Sequence, residues 1–237
     1  MTCSAGFFAS SVCTASSDAV CSACDPSCVT CTGPGANQCA SCPSGKQLVG
    51  GQCHSLCGTA PNPLCLVAAQ AQLQSSEQHP GKEKLKLAWK KIATATTRAS
   101  FGDPVGGSTV AALCVFNDAG TRVGQLIVDR AGQTCGTKPC WRATGTQGLA
   151  YQDKMASAAG ITKIAFSGGA AGKGKARAQG KNDAAKGLTS LPTGLAAALA
   201  GNTSPTIELV TSNGLCVGAT MNTVSKDNGQ QYKAQKK

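Results

Sequence analysis

The chain has 237 residues and a formal net charge of +11, which is length enough for one ordinary domain and a smaller one. No run of 18 or more apolar residues occurs, so no segment reads as a membrane-spanning helix. The charge is uneven. Residues 1–81 set Lys46 against Asp18, Asp25 and Glu77, whereas residues 82–237 carry 21 basic and 8 acidic groups. A surplus of that size favours attraction to polyanions and is silent about fold.

Taken in chain order, the sequence divides into a cysteine-rich region (residues 1–65), a linker (66–81) and a basic β-rich domain (82–237). Eleven of the fifteen cysteines fall between Cys3 and Cys65, among few large apolar side chains beyond Phe7, Phe8, Leu48, Val49 and Leu56. Burial alone cannot offset the chain entropy of such a segment. The spacing from Cys21 runs through Cys24, Cys28, Cys31, Cys39, Cys42, Cys53 and Cys57. Its C-x2-C pairs are separated by three and seven residues, where two zinc knuckles want roughly 12–20. The run also departs from the C-x2-C-x2-C-x3-C-P ligand pattern of iron–sulfur proteins. Disulfides, each contributing roughly 2–4 kcal/mol, remain as the stabilising device. They imply an oxidising, secreted or cell-surface location and neither metal nor cofactor. Cys13, Cys21, Cys24, Cys28, Cys31, Cys39, Cys42, Cys53, Cys57 and Cys65 are the candidates. Eleven is an odd number for a closed module, and residues 1–20 show neither a basic start nor a long apolar run. Together these predict a chain that starts inside a longer protein, with one free thiol as the alternative.

The stretch Cys24-Asp-Pro-Ser-Cys28-Val-Thr-Cys31-Thr-Gly-Pro-Gly-Ala-Asn-Gln-Cys39-Ala-Ser-Cys42, followed by Cys53-His-Ser-Leu-Cys57, resembles a furin-like cysteine-rich repeat of the kind found in growth-factor receptors. The likeness covers about residues 21–57. It implies a rod of short disulfide-pinned loops that serves as spacer or interaction module, and it implies no protease activity.

Residues 66–81, Leu-Val-Ala-Ala-Gln-Ala-Gln-Leu-Gln-Ser-Ser-Glu-Gln-His-Pro-Gly, lack cysteine and read as a linker with at most one weak helical turn. Beyond them, apolar residues recur with a period of two. Lys84 to Trp89 places Leu85, Leu87 and Trp89 on one face and lysines on the other. Val110–Phe116 and Val123–Val128 flank Asn117-Asp-Ala-Gly120 as a hairpin. Lys163–Ser167 and Lys173–Gln179 are further strands. Leu191–Ala200 carries the helical signal, with Pro192 near its start and Gly201 at its end. Thr206–Thr211 and Leu215–Met221 flank Asn213-Gly214, the strongest short hairpin cue. The fold class is therefore mostly β: a small disulfide-rich ladder followed by an antiparallel β-sandwich-like domain. The segment from Lys84 to Lys233 also resembles an uncharacterised β-rich module of secreted bacterial proteins. The likeness is carried by Lys84-Leu-Lys-Leu-Ala-Trp89, Lys138-Pro-Cys-Trp141 and Gly214-Leu-Cys-Val-Gly218, and it implies a location rather than an activity.

Four cysteines remain. Cys135 and Cys140 bracket a short Gly- and Pro-containing loop and predict a local bridge. Cys114 and Cys216, in two predicted strands, predict a sheet-to-sheet staple, with buried free thiols as the alternative. Lys173, Lys175, Arg177, Gln179 and Lys181 alternate with small residues. In a strand they share one face about 7 Å apart, as a stripe for an anionic glycan or as the solvated side of an edge strand.

No catalytic constellation is visible. His54 lies in the ladder and His79 in the linker, with no G-x-S-x-G elbow or H-E-x-x-H helix. Asp103, Asp118, Asp129 and Asp153 sit in turn-like contexts. The sequence thus predicts a non-enzyme with an extracellular protein or an anionic glycan as partner. It predicts no specific nucleic acid, because aromatics do not interleave the basic residues. The first reading is an adhesion or scaffold protein; the alternative is a polyanion binder acting through Lys173, Lys175, Arg177 and Lys181.

Overall fold

The computed structural model describes residues 3–11, 20–43, 46–49 and 51–237. Two compact units divide between Leu56 and Cys57, earlier than the last ladder cysteine suggests.

The first unit holds six short strands: β1 (Phe7–Ala9), β2 (Cys21–Ala23), β3 (Thr30–Cys31), β4 (Cys39–Ser41), β5 (Lys46–Val49) and β6 (Gln52–Ser55). They pair in sequence as three two-stranded antiparallel ribbons. Four disulfides pin them: Cys3–Cys21, Cys24–Cys31, Cys28–Cys39 and Cys42–Cys53. The second and third interlock, because Cys28 lies inside the loop closed by Cys24–Cys31 while its partner lies outside. Half-cystines Cys28 and Cys39 are among the few buried residues here, so sulfur stands in for a hydrocarbon core. Cys13 lies outside the described residues.

The second unit contains β7 (Leu66–Ser76), β8 (Lys84–Ile92), β9 (Ala111–Phe116), β10 (Arg122–Val128), β11 (Thr134–Cys135), β12 (Lys138–Pro139), β13 (Trp141–Thr144), β14 (Gly148–Gln152), β15 (Ile161–Ser167) and β16 (Gly174–Lys181). After the short helix α1 (Leu195–Ala198) come β17 (Thr206–Thr211), β18 (Cys216–Thr220), β19 (Thr223–Asp227) and β20 (Gln231–Lys236). Hydrogen bonds link most of them into one curled sheet of order β10-β9-β17-β18-β7-β8-β16-β15-β14-β13, with β20 and β19 branching from β7. The only parallel step in it, β18 to β7 at Leu66 and Val67, joins two antiparallel layers. Between them lies one core built from Leu73, Leu87, Trp89, Leu113, Leu209, Val217 and their neighbours. Small residues make room for large ones: Ala176 stands opposite Trp89 on the inner face, and the Trp89 indole donates to the Ile207 carbonyl of the facing layer at 3.3 Å.

The predicted hairpins form as expected, and α1 falls within the helical window. Its start is held by Glu77, whose carboxylate accepts from the N–H groups of Gly194 and Ala196.

Two expectations are corrected. Residues 66–76 are no linker but the longest strand of the sheet. Ala71, Leu73 and Ser75 point into the core while Gln70, Gln72 and Gln74 point out; this is the period-two signature, with glutamine as its polar half. The Cys114–Cys216 staple is likewise replaced. Those residues sit on β9 and β18 with β17 between them, about 10 Å apart at ordinary strand spacing and out of disulfide reach. Each is bridged instead to the segment before β7, as Cys57–Cys114 and Cys65–Cys216. The odd count before residue 66 therefore does not describe a closed module. Cys135–Cys140 forms as predicted, and all described cysteines are paired, which removes the free-thiol alternative for Cys114 and Cys216.

Candidate basic binding face

Four of the five stripe residues, Lys175, Arg177, Gln179 and Lys181, lie on β16 as one column of a larger array. Ala176 and Ala178 are buried while Lys175 and Arg177 are exposed, so the long polar side chains share the outer face as alternation requires. Lys173 stands apart, in the turn that precedes the strand, where the Gly172 N–H donates to the Ile92 carbonyl. The edge-strand reading is corrected: β16 is flanked by β8 and β15 along its length.

Antiparallel partners point to the same side of a sheet, so the register assembles the outer face row by row. One row runs Ser76, Lys84, Lys181. The next runs Lys233, Gln74, Lys86, Gln179, Lys163, Gln152. A third runs Gln235, Gln72, Ala88, Arg177, Ala165, Ala150, Arg142. The last runs Gln70, Lys90, Lys175, Ser167. Lysine, arginine and glutamine predominate in these rows, with serine and alanine between them, and no carboxylate side chain occurs in any of them. The ion pair seen among the described residues, Lys186 with Asp183 at 3.1 Å, lies elsewhere. The alanines of the third row stand on either side of the exposed Arg177, with Ala88 before it and Ala165 and Ala150 after it. At the Ala88 end lies a depression of about 230 Å³ whose lining includes Gln70, Gln72, Lys90, Gln235 and Lys236.

Sequence periodicity found the β16 column and the lysines of β8. It missed that β7, β15 and β20 add Gln72, Lys163 and Lys233 to the same face, because side-by-side pairing is a nonlocal property. The alternation of Gln70, Gln72 and Gln74 was the available signal.

The acidic groups are occupied with structure. Asp103 accepts from the N–H groups of Val105 and Gly106, both at 3.0 Å. Asp118 accepts from Thr203 and Ser204 at 2.7 and 2.8 Å. Burial works against the charge of Asp118, but these bonds outweigh it and hold the carboxyl below its ordinary range. Asp153 is buried and accepts from the Met155 and Ser157 N–H groups, the Ser157 hydroxyl and the Tyr151 phenol. Burial again opposes ionisation and the bonds again prevail. Glu208 differs. It is buried beside the Cys65–Cys216 bridge and accepts the Asn62 N–H at 2.6 Å, and burial pushes its carboxyl above the ordinary range. With both neighbouring sulfurs tied in a disulfide, this group offers no thiolate ligands to a metal. His79 is exposed in the turn after β7, and the side chain of His54 lies outside those described.

No protein-family model, curated protein or solved structure matches the chain. No helix among the described residues is long and apolar enough to cross a membrane.

Proposed function

We propose that this chain is an extracellular, non-enzymatic binding protein that attaches to an anionic polysaccharide through the outer face of β20-β7-β8-β16-β15-β14-β13. The observation that carries this reading is the pairing of like charges. Lys90 stands opposite Lys175, and Lys84 opposite Lys181. Directly opposed like charges destabilise a sheet by about 0.2–1 kcal/mol a pair, no aspartate or glutamate stands in their rows, and a bound polyanion would relieve them. Seven disulfides among the described residues support an oxidising compartment. The first unit, which resembles a furin-like repeat, then serves as a spacer or protein-contact module for the same adhesive role.

The aromatic side chains of the second unit are buried. The face therefore lacks the stacking platforms that single-stranded nucleic acid uses, which favours a glycan. The test is heparin affinity chromatography of the whole chain. Substituting Lys90, Lys175 and Arg177 together by alanine should lower the eluting salt concentration sharply, as screening of surface charge predicts. Removing Lys46 and Lys186 should not. Unchanged elution of the triple variant overturns the proposal. Equal retention on immobilised DNA at matched charge density replaces the glycan with polyanions in general.

A further inference from the structure

Where the third row of the basic face reaches β13, it meets a groove of about 660 Å³, within the range of small-ligand sites. Its lining includes Lys138, Pro139, Arg142, Gln152, Lys154 and Met155. One wall is the β11–β12 ribbon, closed by the Cys135–Cys140 bridge across five residues. The other is the turn after β14, fixed by the four donors that converge on Asp153. Arg142 spans the floor, its guanidinium donating to the Gln152 amide oxygen at 3.3 Å.

Three features of this groove go beyond a charged surface. Its ionisable lining is wholly cationic: Lys138, Arg142 and Lys154 carry no carboxylate partner. Its lining is also partly apolar, since Met155 shows 61% of its surface and Pro139 lines the facing wall. Its turn is held in an unfavourable backbone form. Ala156 and Ala159 adopt φ of 51° and 46°, a left-handed conformation that costs an alanine about 1–2 kcal/mol and that persists only where surrounding bonds over-determine it. Two independently rigidified walls lose little freedom when a ligand enters.

Resting on the function proposed above, we infer that this groove is the terminal subsite of the face and takes a single anionic sugar residue. The apolar ring face lies on Met155 and Pro139, and the sulfate or carboxylate meets Lys138, Arg142 and Lys154. Arg142 belongs to both places. Through Ala150 and Ala165 it shares a row with Arg177, so a chain lying along that row reaches the groove at Arg142.

Titration calorimetry with a heparin-derived disaccharide separates the two levels of the proposal. The exposed pair Lys138→Ala and Lys154→Ala should weaken disaccharide binding at least tenfold, and should lower the salt at which the protein leaves long-chain heparin by less than the Lys90, Lys175 and Arg177 triple variant does. The triple variant, whose three residues lie outside the groove lining, should leave disaccharide binding within about twofold of the native chain. Disaccharide binding that survives loss of Lys138 and Lys154, or is absent from the native chain, overturns the groove. Displacement of the disaccharide by inorganic sulfate at equal concentration overturns the sugar assignment. Heparin elution unaffected by the triple variant overturns the face itself, whatever the groove does.

Discussion

Lys90 of β8 and Lys175 of β16 face each other across a hydrogen-bonded pair of strands in the interior of the sheet, both exposed and on the same side. Neither side chain has an acidic neighbour in its row, so each raises the free energy of the other in the unliganded protein.

Relief of this repulsion should be measurable. Replacing Lys90 or Lys175 by glutamine is expected to stabilise the chain by about 0.2–1 kcal/mol, read from urea midpoints at low ionic strength, and to weaken heparin retention. The gain should shrink as salt is added. A variant that is less stable than the parent at low salt counts against the like-charge argument.

A peptide map of the unreduced chain should recover Cys57 with Cys114 and Cys65 with Cys216. The latter bridge spans 151 residues, so replacing both its cysteines by alanine is expected to cost roughly 2–5 kcal/mol, seen as a lower denaturant midpoint. Recovery of Cys114 bonded to Cys216 would contradict the register of β9, β17 and β18.

Glu208 and Asp153 should give opposite pH dependences. Burial raises the Glu208 carboxyl in the folded chain, so the native state holds that proton more tightly than the unfolded state does. Its contribution is fully present below the unfolded carboxylate range and is lost as pH rises through the raised folded value. Glu208→Gln keeps an oxygen for the Asn62 N–H and should flatten this dependence while leaving the chain more stable at neutral pH. A stability profile identical in the two proteins would show that Glu208 does not titrate differently on folding.

Asp153 is the converse case, lowered on balance by its donors in spite of burial. Its contribution is present above the unfolded carboxylate range, near pH 4, and is lost as pH falls through the lower folded value. Asp153→Asn should cost about 1.5–3 kcal/mol at neutral pH, the scale of hydrogen bonds to a charged group, and should weaken the acid sensitivity of the remaining chain. Disaccharide affinity should fall with it, because the turn carrying Met155 is tied down by that carboxylate.

Much of the sheet was legible because burial on one side imposes a period of two. Leu85, Leu87 and Trp89 alternate with lysines, and Ala176 and Ala178 alternate with Lys175 and Arg177. β7 escaped because its inward residues are alanine, one leucine and a serine, too weakly apolar to stand out against glutamine. The β16 stripe could be placed on one side of its strand, but nothing local in Lys175 announces that Lys90 will lie beside it. That neighbour is set by a turn and by inter-strand register many residues away. The partners of Cys114 and Cys216 were hidden for the same reason. Two strands that both carry cysteine look like candidates for each other until a third strand is seen to lie between them.

The bridges at Cys57 and Cys65 fasten the stretch before β7 to β9 and to β18. This has a mechanical consequence for any pull applied through the N-terminal unit. Tension arriving along the backbone from the N-terminal unit reaches Cys57 before it reaches the first residue of β7, and it passes through sulfur into β9. The strand that joins the two layers is thereby shielded from being peeled away residue by residue, and a pull on the tether loads covalent bonds rather than the hydrogen bonds of its neighbour β8.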